Sequence, residues 1–464
     1  EIFNQMKLND IKPDVVTYSS MIDGFSKQGD MKNALEIFNQ MKVNDIKPDV
    51  VTYSCMIDGF SKQKDMKTAM ELFDQMKQIG IQPDSTTYTI LFTGCAESSN
   101  LTLGRRLHSE MKNRKIPIST EMLNSLINMY SKCGSIEEAK SIFEYCQKEK
   151  KLMDVITWNS MINAYGIHGF GKEALDLFKQ MQDEGFEPDS TSIVCILTAC
   201  SHSGLIEDAI NIFNSMKEKY KISPEEKHFN CLIDVLGRAG RLDEAENIIN
   251  NMNIKPGEIT LMTLLGACRT HLDVERAERV FDEIKKLEST ENIASAYVLM
   301  ANIYKLAGKI SASNKIRELM EKEGIKKIPG VSEIEIDGEI HKFYAHDNKH
   351  KEIKLIREEL EKLSLELQKA GYIHDTRYIT ANIFDEEEMK KHLCTHSEKL
   401  AIAYGLLKTA PGTTLYITKN LRVCIDCHNA TKFISKIRKC KIIVRDANRY
   451  HHFENGKCSC NDYW

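Results

Sequence analysis

Apolar residues along the first part of the chain recur at helical spacing, broken at regular intervals by Gly, Pro and Asp. Tyr18, Met21, Ile22 and Phe25 stand at i, i+3, i+4 and i+7, which predicts one stripe of an amphipathic helix. Gly29-Asp30 interrupts it. Ala34, Ile37, Phe38 and Met41 repeat the spacing, and Lys47-Pro48-Asp49 ends the second run. The helical pair then returns as a unit. Glu1 to Leu35 recurs almost unchanged as Glu36 to Met70, a period of 35 residues. Copies with drift follow at Asn124 to Phe143, Trp158 to Met181 and Phe229 to Ile249, then two degenerate ones at Leu261 to Phe281 and Tyr297 to Ile316. One such hairpin cannot bury its own stripe, so neighbours must stack, and the pattern predicts an α-helical solenoid.

From about Ile328 the pattern changes. Pro329-Gly330 interrupts the helices, and Val331 to Ala345 alternates like a β-hairpin turning at Asp337-Gly338. A charged helical stretch, Lys351 to Ala370, follows. Helical HSEKLAIAYGLL, strand-like TTLYITKN, helical CIDCHNATKFISKI and strand-like CKIIVRD come next. This alternation predicts a compact α/β domain with helices covering a sheet.

Composition adds mainly exclusions. The 464 residues exceed what one core supports, in keeping with an array plus a domain. The net charge of −4 excludes a global basic surface, so any nucleic-acid site must be a local groove. No stretch reaches membrane-spanning length, and no membrane partner is expected. No secretory or transit segment opens the chain, which starts inside a repeat unit, so an upstream part is expected. Of the 14 cysteines, Cys55, Cys95, Cys133, Cys195, Cys200 and Cys231 stand singly in apolar helical runs, where cysteine serves as a small hydrophobe. Paired cysteines cluster near the C-terminus, which points to metal ligation in a reducing compartment.

The main chemical constellation is His396-Ser397-Glu398 with Cys424-Ile425-Asp426-Cys427, Glu398 and Cys424 lying 26 positions apart. A lone HxE occurs by chance on many exposed helices, and a lone CxxC permits a redox pair or a structural metal. Together, in this order, they match the zinc deaminase signature. His396, Cys424 and Cys427 would hold Zn²⁺ with the fourth position open to water, and Glu398 would move protons. The signature's proline before the first cysteine is here Val423. A second cluster, His451-His452 with Cys458-Ser459-Cys460, suits a closed four-ligand zinc site. Cys458 and Cys460 are its ligands, with His451 and His428 completing the set and His452 competing for the third place. A purely structural zinc domain is the alternative that Glu398 argues against.

The repeat, read as VVTYSSMIDGFSKQGDMKNALEIFNQMKVNDIKPD (Val15 to Asp49), closely resembles the pentatricopeptide repeat family, with a tetratricopeptide-like scaffold as the alternative. Its variable-length copies resemble the subclass of alternating long and short motifs, and the degenerate pair resembles the E motifs of that subclass. HSEKLAIAYGLL, the CxxC-His428 run and the ending Asp462-Tyr463-Trp464 resemble the DYW deaminase domain of organellar editing factors; Ile425 stands where glycine is usual there. The resemblance implies a partial repeat at 1–14, a repeat tract at 15–257, degenerate helical repeats at 258–325 and a DYW domain at 326–464, whose 328–350 segment is a PG box and gating hairpin.

The resemblance also implies one base read per repeat, by the fifth and the last residue of each motif. These are Ser19 with Asp49, Ser54 with Asp84, Thr89 with Ser119, Asn124 with Asp154, and Asn159 with Asp189. Ser or Thr at the fifth position favours purines, Asn favours pyrimidines, and a last Asp selects guanine or uracil. Val194 cannot hydrogen-bond a base, and Asn230 is paired with Gly257, which carries no acid. The same side chains are also ordinary helix caps and turn residues. The implied activity is conversion of cytidine to uridine in single-stranded organellar RNA, in the mitochondrion or else the plastid. Two zinc ions per chain, accessory editing proteins and a monomeric state go with it. The alternative is a non-catalytic RNA-binding factor that recruits another enzyme.

Overall fold

The computed structural model describes residues 6, 12–149, 152–287, 293–326, 329–376 and 385–463. Most of the partial first repeat, Ile328 and Trp464 therefore lie outside the described residues. The chain divides into two compact units, Glu1–Ala164 and Tyr165–Trp464.

The first unit is built of helical hairpins: Val15–Lys27 with Met31–Val43, Val50–Lys62 with Met66–Gln78, Ser85–Ser98 with Leu101–Asn113, and Thr120–Lys132 with Ile136–Lys148. The starts are set by side chains. Asp14, Asp49 and Asp84 each cap a first helix in a reciprocal box with the threonine three residues on, Thr17, Thr52 and Thr87. Asp30 and Asp65 cap the second helices. The ends fall where the backbone turns left-handed, as at Gly29 and Gly80.

Tyr18, Ile22, Ala34, Phe38 and Met41 are buried, and so are their counterparts Tyr53, Ile57, Ala69, Phe73 and Met76. Met21, Phe25 and Ile37, expected on the same stripes, are only half-buried. The rings interlock between repeats. Phe38 meets Tyr53 edge-on at 5.3 Å, Phe73 meets Tyr88 at 5.7 Å, and Phe143 meets Trp158 at 5.2 Å. Each contact joins one repeat's second helix to the next repeat's first and adds about 1 kcal/mol beyond area burial. Gly59 marks a close approach, since a Cβ there would stand 2.2 Å from the Met31 sulfur. Cys95 and Cys133 are buried among these helices, while Cys55 remains half-buried.

In the second unit the helical pairs continue from Gly171–Asp183 through Ile310–Lys322. The helices from Glu226–Arg238 through Ile310–Lys322 share a core that includes Leu232, Leu264, Cys268, Phe281, Tyr297 and Ile303. Burial pushes the Cys200 thiol up to about 12, as expected of a packing residue.

A mixed six-stranded sheet follows: β1 (Val331–Ile336), β2 (Glu339–Tyr344), β3 (Leu415–Lys419), β4 (Ile442–Arg445), β5 (Tyr450–Glu454) and β6 (Lys457–Cys458), in the order β2-β1-β3-β4-β5-β6. Asp337 and Gly338 both take positive φ in the β1–β2 turn, the conformation a tight hairpin requires. That hairpin does not stand apart from the sheet, because β1 pairs antiparallel with β3, Ser332 opposite Lys419. Four helices accompany the sheet: α1 (Ile353–Lys369), α2 (Glu386–Cys394), α3 (Ser397–Lys408) and α4 (Ile425–Ile437). β3 and β4 are parallel, joined by the α4 crossover. Ile334, Phe343, Leu360, Leu363, Leu400, Ile417 and Ile434 fill the space between helices and sheet. Among the described residues, no helix is long and apolar enough to cross a membrane.

Candidate metal centres and nucleic-acid interface

Two helix N-termini create the first cluster. His396 is the N-cap of α3 and Cys424 the N-cap of α4. The sheet between them brings residues 28 positions apart together: His396 Nδ1 lies 3.5 Å from Cys424 Sγ and 3.4 Å from Cys427 Sγ. Tetrahedral zinc separates sulfur and nitrogen donors by about 3.6 Å, so the three donors fit the ion. Both helix dipoles favour thiolate here. Hydrogen bonding from Cys427 holds the Cys424 thiol down at about 5, while that same partnership and burial push Cys427 well up. A cation between them would favour both thiolates.

Glu398 is 2% exposed, two residues from His396 on the first turn of α3. Burial works to raise its pKa, but the Lys419 ammonium and His396 prevail and hold the carboxyl below the usual range. Lys419 Nζ lies 2.7 Å from Glu398 Oε2 and also donates to Ser397 Oγ at 3.0 Å. Ser397 Oγ lies 2.9 Å from Ser332 on β1, so the hairpin is bonded into the site. Glu398 follows the N-cap His396 by two residues, so the first turn of α3 carries the carboxylate next to a donor of the cluster. Lys419 carries no motif of its own. The packing of α3 on the sheet reveals it.

Between the two cysteines, buried Asp426 gathers Lys399 Nζ at 2.7 Å, the Tyr372 hydroxyl at 2.5 Å and the Asp375 N–H at 2.9 Å. His374 Nδ1 stands 3.5 Å away. This network ties α3 to the start of α4. Val423, at the signature's proline position, is buried, and its N–H donates to Asp446 Oδ2 at 3.3 Å, a bond proline could not make.

The second cluster joins His428 of α4, His451 of β5, and Cys458 and Cys460 of the terminal turn, all buried. His428 Nε2 lies 3.2 Å from Cys460 Sγ, His451 Nδ1 lies 3.7 Å from Cys458 Sγ, and the two sulfurs are 3.2 Å apart. Carboxylates back both imidazoles. Asp446 Oδ2 is 3.4 Å from His451 Nε2, and Asp462 Oδ1 is 3.8 Å from His428 Nδ1. Such partners orient metal-bound histidines, so this donor set also fits zinc. Burial lowers the pKa of His451, yet the Asp446 carboxylate outweighs it and raises the value. His452 does not compete for the metal. Strand alternation turns it to the opposite face, where its Nε2 meets His168 Nδ1 at 2.6 Å.

Along the repeats, the fifth and last positions meet through the next helix's threonine. Ser19 Oγ is 2.7 Å from Thr52 Oγ1, and Ser54 Oγ is 3.0 Å from Thr87 Oγ1. Those threonines belong to the caps of Asp49 and Asp84. Asp49 uses Oδ1 for both bonds from Thr52, which leaves Oδ2 outside the cap. Asn124 Nδ2 reaches Asp154 Oδ1 at 3.4 Å. Thr89 instead bonds back to the Ser85 carbonyl, and Ser119 caps its helix through Met122 N–H. Asn159 is buried, Val194 is half-buried, and Asp189 caps the helix Ser190–Ser203.

In the last pair a residue that sequence reasoning missed intervenes. Glu226 Oε1 accepts from the Gly257 N–H at 3.0 Å and from Thr260 Oγ1 at 3.1 Å, and Thr260 also lies 2.6 Å from Asn230 Oδ1. A carboxylate thus stands where Gly257 has none. A second missed feature is apolar: Val16, Val51, Ile156 and Ile259, each two residues beyond a last-position residue, are more than half exposed. Their recurrence at one repeat position was the available signal.

The geometry defines a helical-repeat protein that ends in an α/β domain with two His/Cys clusters. A profile of the DYW family of nucleic acid deaminases matches residues 371–464, and an E motif profile matches 271–335. PPR repeat family profiles match 15–62, 48–97 and 153–202, and further PPR repeats match 86–116, 121–150, 194–220 and 227–255. The chain belongs to the pentatricopeptide repeat proteins that carry an E motif and a DYW deaminase domain.

It is 43% identical over 250 residues to the Arabidopsis thaliana "Pentatricopeptide repeat-containing protein At1g08070, chloroplastic", covering 54% of this chain and 33% of that protein. It is 39% identical over 249 residues to the Arabidopsis thaliana "Pentatricopeptide repeat-containing protein At3g26782, mitochondrial", covering 54% and 37%. These matches span well under half the length of either relative. Among solved structures, the pentatricopeptide repeat protein PPR10 in complex with an 18-nt psaJ RNA element aligns at 17% identity and TM-score 0.42, over 93% of this chain and 68% of that one.

Proposed function

We propose that the chain binds single-stranded organellar RNA through its repeats and deaminates one cytidine to uridine at the His396–Cys424–Cys427 cluster. The observation that carries this reading is the buried Glu398 carboxylate, two residues after His396 in the first turn of α3 and ion-paired with Lys419. Zinc held by His396, Cys424 and Cys427 would supply the Lewis acidity by which a water becomes acidic near neutral pH. Glu398 accepts the water proton and passes it to ring N3 as the water oxygen bonds to C4. The remaining proton goes to the exocyclic amine, the C4–N bond breaks, and ammonia leaves with uridine as product. Lys419 and Ser397 orient the carboxylate during both transfers.

At the repeats, Asp49 Oδ2 and Asp84 would accept from guanine N–H, with Ser19 and Ser54 alongside. The Asn124–Asp154 and Asn159–Asp189 pairs would favour uracil. Glu226 would serve the Asn230 unit as its missing acid, and the exposed Val16, Val51 and Ile156 would stack against bases. The second cluster, His428, His451, Cys458 and Cys460, would hold a structural zinc, which makes two ions per chain. Relatives named chloroplastic and mitochondrial support an organelle; the mitochondrion rests on the sequence expectation. Domain limits at 257 and 325, a monomeric state and accessory proteins belong to the same reading.

The test is Glu398→Ala in purified, zinc-loaded protein with a cognate RNA. Conversion should fall by at least about 10²-fold with RNA affinity retained. Conversion at the original rate, with no partner enzyme present, would instead identify a binding factor.

A further inference from the structure

The β5–β6 hairpin has two working faces. His451 and Phe453 point inward, to the second cluster and the core. Tyr450 and His452 point outward, against the end of a repeat helix. There the His168 ring stacks on Tyr450 at 4.3 Å with 9° between planes, and its Nδ1 meets His452 Nε2. His168 is fully buried by this contact.

One residue earlier, Arg449, 3% exposed, donates through Nη1 to the His202 carbonyl of the next repeat and, at 3.1 Å, to the Tyr463 carbonyl. Two glycines make the seat. Gly169 has φ +82, and a Cβ on it would stand 2.3 Å from Arg449 Nη2. Gly204 has φ +69 and lies under the Tyr463 ring. Both close repeat helices in the left-handed region, so each ends its helix and clears space for the C-terminal domain.

We infer that this seat selects the edited nucleotide, because it fixes the Glu398 cluster at one distance from the Asn230 reading position; the inference rests on the deaminase reading above. Unseated, the domain would be tethered only through the E-motif helices and would reach several neighbouring nucleotides. A misplacement of about 1 Å costs a catalytic site on the order of 10²-fold, so a rigid seat converts position along the strand into selectivity. Arg449 and His168 are positioning residues in this scheme. The contacts described for them run to His452, Tyr450 and the His202 and Tyr463 carbonyls.

The experiment uses the full chain, zinc-loaded, on an RNA with cytidines at successive positions flanking the bound segment, read by sequencing. His168→Ala, Arg449→Met and the double variant are compared with the parent. Hydrogen exchange over 165–204 and 449–463 reports seating, and metal content and RNA affinity are measured in parallel. The parent should convert one position. The variants should lose protection over both segments and spread conversion to neighbours, with positional selectivity down by about tenfold or more. Zinc content should hold, and RNA affinity should stay within about twofold. The inference is overturned if selectivity persists after protection is lost, if conversion falls equally at every cytidine, or if the double variant keeps full protection. Absence of uridine with the parent itself would overturn the deaminase reading first, and this inference with it.

Discussion

Replacing Lys399 with methionine keeps most of the side-chain volume and removes only the charge. Lys399 and Asp426 are each 3% exposed and 2.7 Å apart, between the helices that carry His396 and Cys424. Removing one partner of such a pair typically costs about 3–5 kcal/mol, because the other charge is left buried and alone. Asp426 would not be alone, since Tyr372 O–H and Asp375 N–H still donate to it and His374 stands within reach. Lys399→Met should therefore cost about 2 kcal/mol.

Asp426→Leu is the harsher change. It strands the Lys399 ammonium, whose remaining charge neighbours are the thiols of Cys427 and Cys394, and should cost about 4 kcal/mol. Hydrogen exchange over 397–408 and 425–437 reads both. Protection should fall about thirtyfold for Lys399→Met and about a thousandfold for Asp426→Leu, at 1.36 kcal/mol per decade. The double variant should lie above Asp426→Leu alone, because no charge is stranded. Lys399→Met costing as much as Asp426→Leu, or a double variant showing the simple sum, would refute the reasoning.

Other outcomes follow from the same geometry. His451→Ala should lower bound zinc from two ions to one by elemental analysis, whereas His452→Ala should leave both. Asp49→Asn should keep the helix cap and relax the base preference at that unit; Asp49→Ala should also cost about 1 kcal/mol of stability. Glu226→Ala should weaken discrimination at the Asn230 position alone, measured with RNAs varied at one nucleotide. Burial holds His108 down at about 4 from 6.5. The unfolded chain then binds the extra proton first, so stability is complete above pH 6.5 and falls by up to about 3 kcal/mol toward pH 4. Thermal melting across that range checks it, and His108→Gln should flatten the dependence.

Periodicity alone carried the repeat architecture, because a 3.6-residue stripe broken at a constant interval admits few packings. The donor types of the first cluster were legible for a related reason: HxE and CxxC are local spacings on helix starts, and chemistry restricts which residues can stand there. Even the ambiguity between cap and base reader was legible in Asp49 and Asp84. The fold assigns the cap to one carboxylate oxygen of Asp49 and leaves the other outside it.

Three-dimensional packing decided what local pattern could not reach. Lys419 joins Glu398 only because α3 packs against the sheet that holds β3, and Glu226 reaches the Gly257 N–H only because successive repeats stack in register. His451 and His452 are adjacent and chemically identical, so no sequence rule separates them. The pleat of β5 does, sending one to the cysteines and the other to His168. Neighbours along a chain share composition and spacing, but the side of a strand on which each one falls is set by what the sheet packs against.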